Sequence, residues 1–176
     1  EIIAATPDGR KQGEPLSDPR IGITKQSDLK LDGFAIQCRV TTEDPTNNFA
    51  PDTGRITGYR ISGGFGIRLD EATAGTGSTI SPYYDSLLVK VIAHDRTFRG
   101  VTNKAIRAIK ETRIRGVKTN IPFLINVLQS KTWRDGKCTT TFIENTPDLF
   151  HFVPGKDRAS KIAEFIGNQI VNESKG

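Results

Sequence analysis

Gly33-Phe34-Ala35-Ile36-Gln37-Cys38-Arg39-Val40-Thr41-Thr42-Glu43-Asp44-Pro45 alternates apolar and polar side chains along most of its length. A period of two sends Phe34, Ile36, Cys38 and Val40 to one face of a strand and Ala35, Gln37, Arg39 and Thr41 to the other. Arg39 therefore points away from the apolar layer. Glu43-Asp44-Pro45 ends the strand, because proline cannot donate to a ladder and acidic residues favour turns. Pattern alone leaves Arg39 two readings. It is either a solvated or structurally paired arginine, or a guanidinium held at a strand end to bind an anion.

Working outward, residues 34 to 92 read as short apolar or alternating runs separated by Gly, Pro, Asp and Asn. Strands are expected at 34 to 41, 55 to 61, 66 to 69 and 86 to 93. Gly63-Gly64 and Gly75-Thr76-Gly77 mark turns. Neither is a nucleotide loop, since Leu69 and Ile80 stand where the third glycine of GxGxxG belongs.

Helical periodicity follows. Phe98, Val101, Ala105 and Ile109 recur at steps of three or four, opposite a polar stripe of Arg99, Asn103, Arg107 and Lys110. Gly100 costs such a helix about 1 kcal/mol relative to alanine, which implies a close approach or a late helix start, and Gly116 is placed for the stop. A second helix is expected from Asn120 as cap, with Pro122 in its first turn and Ile121, Leu124, Ile125 and Leu128 on its buried side. A third is expected from a cap at Asp157 to about Val171, burying Ile162, Phe165, Ile166 and Ile170. Strands first and helices after predict an α+β fold, an antiparallel β-sheet layer followed by packed helices.

Composition narrows the function classes. The chain has 176 residues, enough for one domain with a real core. It contains no Met, which suggests a processed chain or an excised piece. No apolar run approaches the roughly 18 residues of a membrane span, and no signal-peptide pattern opens the chain, so a soluble protein is expected. Cys38 and Cys138 form no CxxC pair and are read as reduced thiols. His94 and His151 lack ligand-spaced partners, which argues against a metal site. A net charge of +5 and a pI near 9.3 permit nucleic-acid binding, yet the cations are dispersed among 20 acidic residues without any helix-turn-helix, zinc-finger or stacking motif. Neither nucleic acid nor membrane is an expected partner.

Further stretches sharpen the reading: Gly63-Gly64-Phe65-Gly66-Ile67-Arg68; Ser81-Pro82-Tyr83-Tyr84-Asp85-Ser86-Leu87-Leu88-Val89-Lys90; Arg113-Ile114-Arg115-Gly116-Val117-Lys118-Thr119-Asn120-Ile121-Pro122-Phe123-Leu124; Phe142-Ile143-Glu144-Asn145-Thr146-Pro147-Asp148-Leu149-Phe150; and Asp157-Arg158-Ala159-Ser160-Lys161. With the opening run, they resemble in order the C-terminal subdomain of biotin carboxylase in the biotin-dependent carboxylases. Within that family Thr41-Thr42-Glu43-Asp44-Pro45, Asn47-Asn48-Phe49 and Pro51-Asp52-Thr53-Gly54-Arg55-Ile56 are most similar to the pyruvate carboxylases. The resemblance covers about residues 21 to 172, so 21 to 176 is expected to be this subdomain. Residues 1 to 20 read as an extended arm or junction. There Ala5-Thr6-Pro7-Asp8-Gly9-Arg10 and Gly13-Glu14-Pro15-Leu16-Ser17-Asp18 resemble a loop of glycyl radical enzymes, without the radical loop or catalytic cysteine that would give the likeness meaning.

The resemblance implies a part in a ligase that activates bicarbonate with ATP and carboxylates biotin, the parent making oxaloacetate from pyruvate. Arg39 matches the family arginine beside the ureido oxygen of biotin and the bicarbonate, so it is the expected catalytic and substrate-binding residue. Asp85 and Tyr84 occupy the substrate-facing turn, where Asp85 either orients Arg39 or a biotin-side group, or caps the turn after Pro82. Phe65 and Arg68 match dimer-contact positions; otherwise Phe65 is core and Arg68 a solvated strand residue. The implied cofactors are biotin, on a carrier domain outside this chain, with ATP and Mg bound mainly by residues absent here. The implied partners are the remaining biotin carboxylase subdomains, the carrier and carboxyltransferase domains, and a second copy in a homodimer within a tetramer. The isolated chain is expected to be inactive, and the compartment to be the bacterial cytoplasm or the mitochondrial matrix. An acetyl-CoA or propionyl-CoA carboxylase is the alternative within the family, and a noncatalytic interaction module the alternative outside it.

Overall fold

The computed structural model describes residues 30–72, 74–152 and 158–173. Its strands are β1 (Phe34–Thr41), β2 (Glu43–Asp44), β3 (Ala50–Pro51), β4 (Gly54–Arg55), β5 (Gly58–Arg60), β6 (Ile67–Glu71), β7 (Thr79–Ile80), β8 (Leu87–Asp95) and β9 (Arg113–Arg115). The helices are α1 (Phe98–Glu111), α2 (Ile121–Gln129), α3 (Lys131–Arg134) and α4 (Arg158–Glu173). This is the expected α+β layering. The main sheet has order β1-β8-β6 and is antiparallel throughout. The pairs β2-β3, β4-β7 and β5-β9 extend the irregular part of the layer.

From Ile36 to Val40 the period of two in β1 sorts the side chains as the sequence predicts; at its ends it does not, since Phe34 is exposed and Thr41, past a slip in the pairing with β8, is buried. Ile36, Cys38 and Val40 are buried against Ala93, Val91 and Val89 of β8, their register partners. The α1 residues Val101, Ala105, Ile106, Ala108 and Ile109 close this core, which also takes in Ile56, Leu88 and Leu128. Each fully buried Val, Leu or Ile among them contributes about 1.5–3 kcal/mol by leaving water. Arg99, Asn103, Arg107 and Lys110 line the exposed stripe of α1. A second cluster gathers Phe123, Phe142 and Leu149, with Phe49 set edge-on to Phe123 at 5.0 Å between ring centres.

Several expectations need correction. The expected strand 55 to 61 is interrupted at Ile56-Thr57, because its halves pair with different partners: β4 with β7 and β5 with β9. Thr112, not Gly116, closes α1, and its backbone N–H bonds the carbonyls of Ala108 and Ile109. Gly116 follows β9 with φ +98°, and a Cβ there would overlap the carbonyl of Arg55, so this glycine serves a close crossing of two chains. Gly100 sits in the first turn of α1, where a Cβ would overlap the Asp95 carboxylate; that carboxylate pairs with Lys104 Nζ at 2.6 Å.

Asn120 holds the N-cap position of α2, as expected, and its carbonyl accepts from Leu124 N at 3.0 Å, but its side chain makes no cap hydrogen bond. Its amide is spent on β1 instead. Helix α2 also buries two sides, with Leu128 in the main core and Phe123 in the second cluster, while Ile121, Leu124 and Ile125 are half-buried. The third expected helix exists as α4, but Ile162, Phe165, Ile166 and Ile170 are exposed. Amphipathic spacing specifies a stripe and not what covers it, and no cover is found among the described residues. The Asp157 cap and the arm over residues 1 to 20 lie outside the described residues.

Candidate functional site

Arg39 stands on the outer face of the main sheet, opposite the core. Among the described residues it lies on an edge strand, since β1 pairs there only with β8. Its register partner on β8 is Lys90, and the partner of Lys90 on β6 is Asp70. The next row of the same face runs Gln37, Ile92, Arg68. With strands about 4.8 Å apart, Arg39 and Arg68 project from one surface across the width of the three strands.

The Arg39 guanidinium approaches the Asp85 carboxylate, Nη2 to Oδ2 at 3.9 Å, with side chains 57% and 70% exposed. That separation exceeds hydrogen-bond length, and an exposed pair of this kind contributes well under about 1 kcal/mol. Arg39 is thus weakly engaged within the described residues. Its donors are available to an anion, and Lys90 beside it adds positive potential. Asp85 Oδ1 accepts from Leu87 N at 2.9 Å and caps the entry to β8, while its Oδ2 lies 3.9 Å from the Arg39 guanidinium.

The strand end and this turn are tied together. Glu43 Oε1 accepts from Ser86 Oγ at 2.7 Å, and Oε2 from Thr41 Oγ1 at 3.0 Å. Thr42 N donates to Ser86 O at 2.9 Å. Below them Asp44 accepts from Lys118 Nζ at 2.5 Å and from Thr46, and these bonds hold its carboxyl down at about 2. Lys118 N also donates to Asp52 Oδ2 at 2.5 Å, so the loop after β1 is pinned to the segment before α2.

Tyr84 is 83% exposed and lines, with Asp85, Ser78, Ile80, Ser81 and Leu88, an open groove of about 650 Å³. Phe65 is 98% exposed at the turn entering β6, which removes the core reading of this residue. Arg68 Nη2 bonds Asp70 Oδ2 at 3.0 Å on the outer face. The structure therefore brings Arg39 and Asp85 together, puts Tyr84 beside Asp85, and sets Phe65 before β6 and Arg68 on β6, the strand across β8 from β1. Sequence reasoning missed Glu43, Lys90 and Asn120 as parts of this surface. Lys90 was legible as the outward position of β8, whereas nothing local pointed to the other two.

Among the described residues, no group of three or more His, Cys, Asp or Glu converges to hold a metal ion. The exposed fork of Arg39 fits a small anion or an anionic oxygen. His94 Nε2 lies 3.1 Å from the Asp32 carbonyl. Cys38 and Cys138 are free, and burial pushes the Cys38 thiol up to about 11. Among the described residues, no helix is long and apolar enough to cross a membrane.

Comparison with known proteins gives a consistent result. Residues 37–145 match the family described as the biotin carboxylase C-terminal domain. A pyruvate carboxylase of Staphylococcus aureus is 53% identical over 160 residues, covering 91% of this chain and 14% of that protein. A mitochondrial pyruvate carboxylase of Mus musculus is 50% identical over 159 residues, covering 90% of this chain and 13% of that protein. The chain thus spans about one seventh of the length of these relatives. Among solved structures, the complete multifunctional pyruvate carboxylase of Rhizobium etli superposes with a TM-score of 0.73 at 50% identity, covering 81% of this chain and 14% of that one. The biotin carboxylase domain dimer of Hydrogenobacter thermophilus 2-oxoglutarate carboxylase, in complex with MgADP, ADP and bicarbonate, superposes with a TM-score of 0.70 at 41% identity, covering 73% of this chain and 28% of that one.

Proposed function

The chain belongs to the biotin carboxylase C-terminal domain family, and from that premise we propose that it forms one wall of the biotin carboxylation site of a pyruvate carboxylase. The observation that carries this reading is Arg39: a guanidinium on the outer sheet face, more than half exposed and, among the described residues, held only by a long ion pair to Asp85. When bound, biotin supplies the ureido nitrogen that takes up the carboxyl group. Arg39 would hold negative charge at the neighbouring oxygen and bind bicarbonate, since its planar fork can reach two oxygens at once. A preorganised donor of this kind favours charge that develops in the transition state. Asp85 would keep the guanidinium turned toward the groove, and Tyr84 would form part of the groove wall.

The remainder of the reaction belongs to other parts of the parent protein. ATP and Mg would be held by the other biotin carboxylase subdomains, and biotin would arrive on a carrier domain and deliver its carboxyl group to pyruvate in a carboxyltransferase domain. Residues 21 to 176 would make up the subdomain. Phe65 and Arg68 would anchor a homodimer contact, an exposed aromatic beside an arginine being a frequent hot-spot pair, within a tetramer. The relatives include a bacterial and a mitochondrial protein, so the parent would work in a bacterial cytoplasm or a mitochondrial matrix.

The test is Arg39→Ala in the full-length protein. Carboxylation of biotin should fall by about 10²-fold or more, the scale for loss of one transition-state donor, with ATP affinity nearly unchanged. Carboxylation at the unsubstituted rate would remove Arg39 from the reaction.

A further inference from the structure

We infer that Asn120 is the positioning residue that sets the direction of Arg39, a role that rests on the reading of Arg39 given above. The Asn120 amide lies along the free edge of β1. Its Nδ2 donates to Arg39 O at 3.0 Å, and its Oδ1 accepts from Thr41 N at 3.0 Å. Asn120 N donates in turn to Thr41 O at 3.2 Å. One residue thereby supplies the hydrogen bonds that a neighbouring strand would supply on that side, and it does so around Arg39-Val40-Thr41. Asn120 is 8% exposed, so these bonds have little competition from water.

The ladder on the other side of β1 fails at this point. Val40 faces Val89, but Thr41 faces Leu87, so the pairing slips by one residue between Val40 and Thr41. A slip of one residue in a strand exchanges its two faces. Carried back to Arg39, it would turn the guanidinium toward the core and an apolar side chain toward solvent. The Asn120 bonds bracket the irregularity and stop it there. The side chain of Arg39 cannot do this for itself, because its one ion pair among the described residues is 3.9 Å long and exposed.

Only a side chain with a donor and an acceptor on one planar group meets both demands. Aspartate has the same shape but would set an acceptor against the Arg39 carbonyl. Asn120 also stands at the start of α2, which is anchored by the buried Phe123 and Leu128, so the amide is carried by a fixed element.

The experiment is a cycle of Asn120→Asp, Arg39→Ala and the double variant in the full-length protein, read by the carboxylation of free biotin and by the KM for ATP. With Arg39 present, Asn120→Asp should lower kcat about 10- to 100-fold, as a misplacement near 1 Å does, with the KM for ATP within about twofold. In the Arg39→Ala background the same substitution should cost less than about twofold, because it acts through the missing side chain. An equal loss in both backgrounds, or no loss with Arg39 present, would overturn the positioning role and leave the reading of Arg39 standing. An Arg39→Ala variant that carboxylates at the unsubstituted rate would overturn that reading, and the role of Asn120 with it. Should Asn120→Asp fail to fold, Asn120→Ser, which is smaller and uncharged, runs through the same cycle with the same expected outcomes.

Discussion

Cys38 and Arg39 are neighbours in sequence with opposite surroundings, and their chemistry follows from that. Cys38 faces the core between Ile36 and Val40, and its thiol is raised to about 11, so thiolate is scarce at neutral pH. Cys138 is exposed. A thiol reagent at neutral pH should modify Cys138 quickly and Cys38 only once the chain is unfolded. Rapid modification of both in the folded protein would show that the sheet face does not close as described. The alternation that hides Cys38 is what presents Arg39, and it was readable from the residues alone. Whether Arg39 was solvated or engaged was not readable. That depended on Asp85, 46 positions away in the chain and 3.9 Å away in space.

At the scale of elements, the loop between β1 and β4 is held by charge. Asp44 bonds Lys118 across 74 positions, and its carboxyl is held at about 2, chiefly by that hydrogen bond and then by the one from Thr46. A carboxyl depressed in the folded state stabilises it above the ordinary carboxyl value of 3.8, and that contribution is lost as pH falls toward about 2. Lys118 is raised above 10.5 by the same partner, so its share is present below 10.5 and is lost at higher pH. The thermal midpoint of the chain should therefore drop between pH 4 and pH 2. Asp44→Asn should lower the midpoint at neutral pH and flatten this acid limb. An unchanged acid limb in that variant would rule the pair out as its source. The long elements, β1, β8 and α1, were legible because periods of two and 3.6 run through many residues. Strands β4, β5 and β9 are too short to show a period, and each exists because of the partner it pairs with.

For the molecule as a whole, the outer sheet face joins the two proposed duties, with Arg39 at the β1 edge and Arg68 on β6. No glycine-rich nucleotide loop occurs in the sequence, and the described residues hold no cluster fit for Mg. The isolated chain should show no bicarbonate-dependent release of ADP, with or without free biotin. Robust turnover by the chain alone would contradict its role as one wall of a larger site. The apolar stripe of α4 is exposed, against the sequence expectation, because spacing along a helix cannot say which surface comes to meet it.

By itself, the sequence determined the α+β order, the two faces of β1, the stripes of α1 and the family. These follow from local backbone geometry and from motifs that sit within short runs. Tertiary structure alone decided that the Asn120 side chain serves the edge of β1 and not the start of α2, that Gly116 marks a chain crossing, that Phe65 is fully exposed, and that Asp85 both caps β8 and faces Arg39. Each of these depends on which distant segment comes within a few ångströms of the residue. Local periodicity carries no record of that partner.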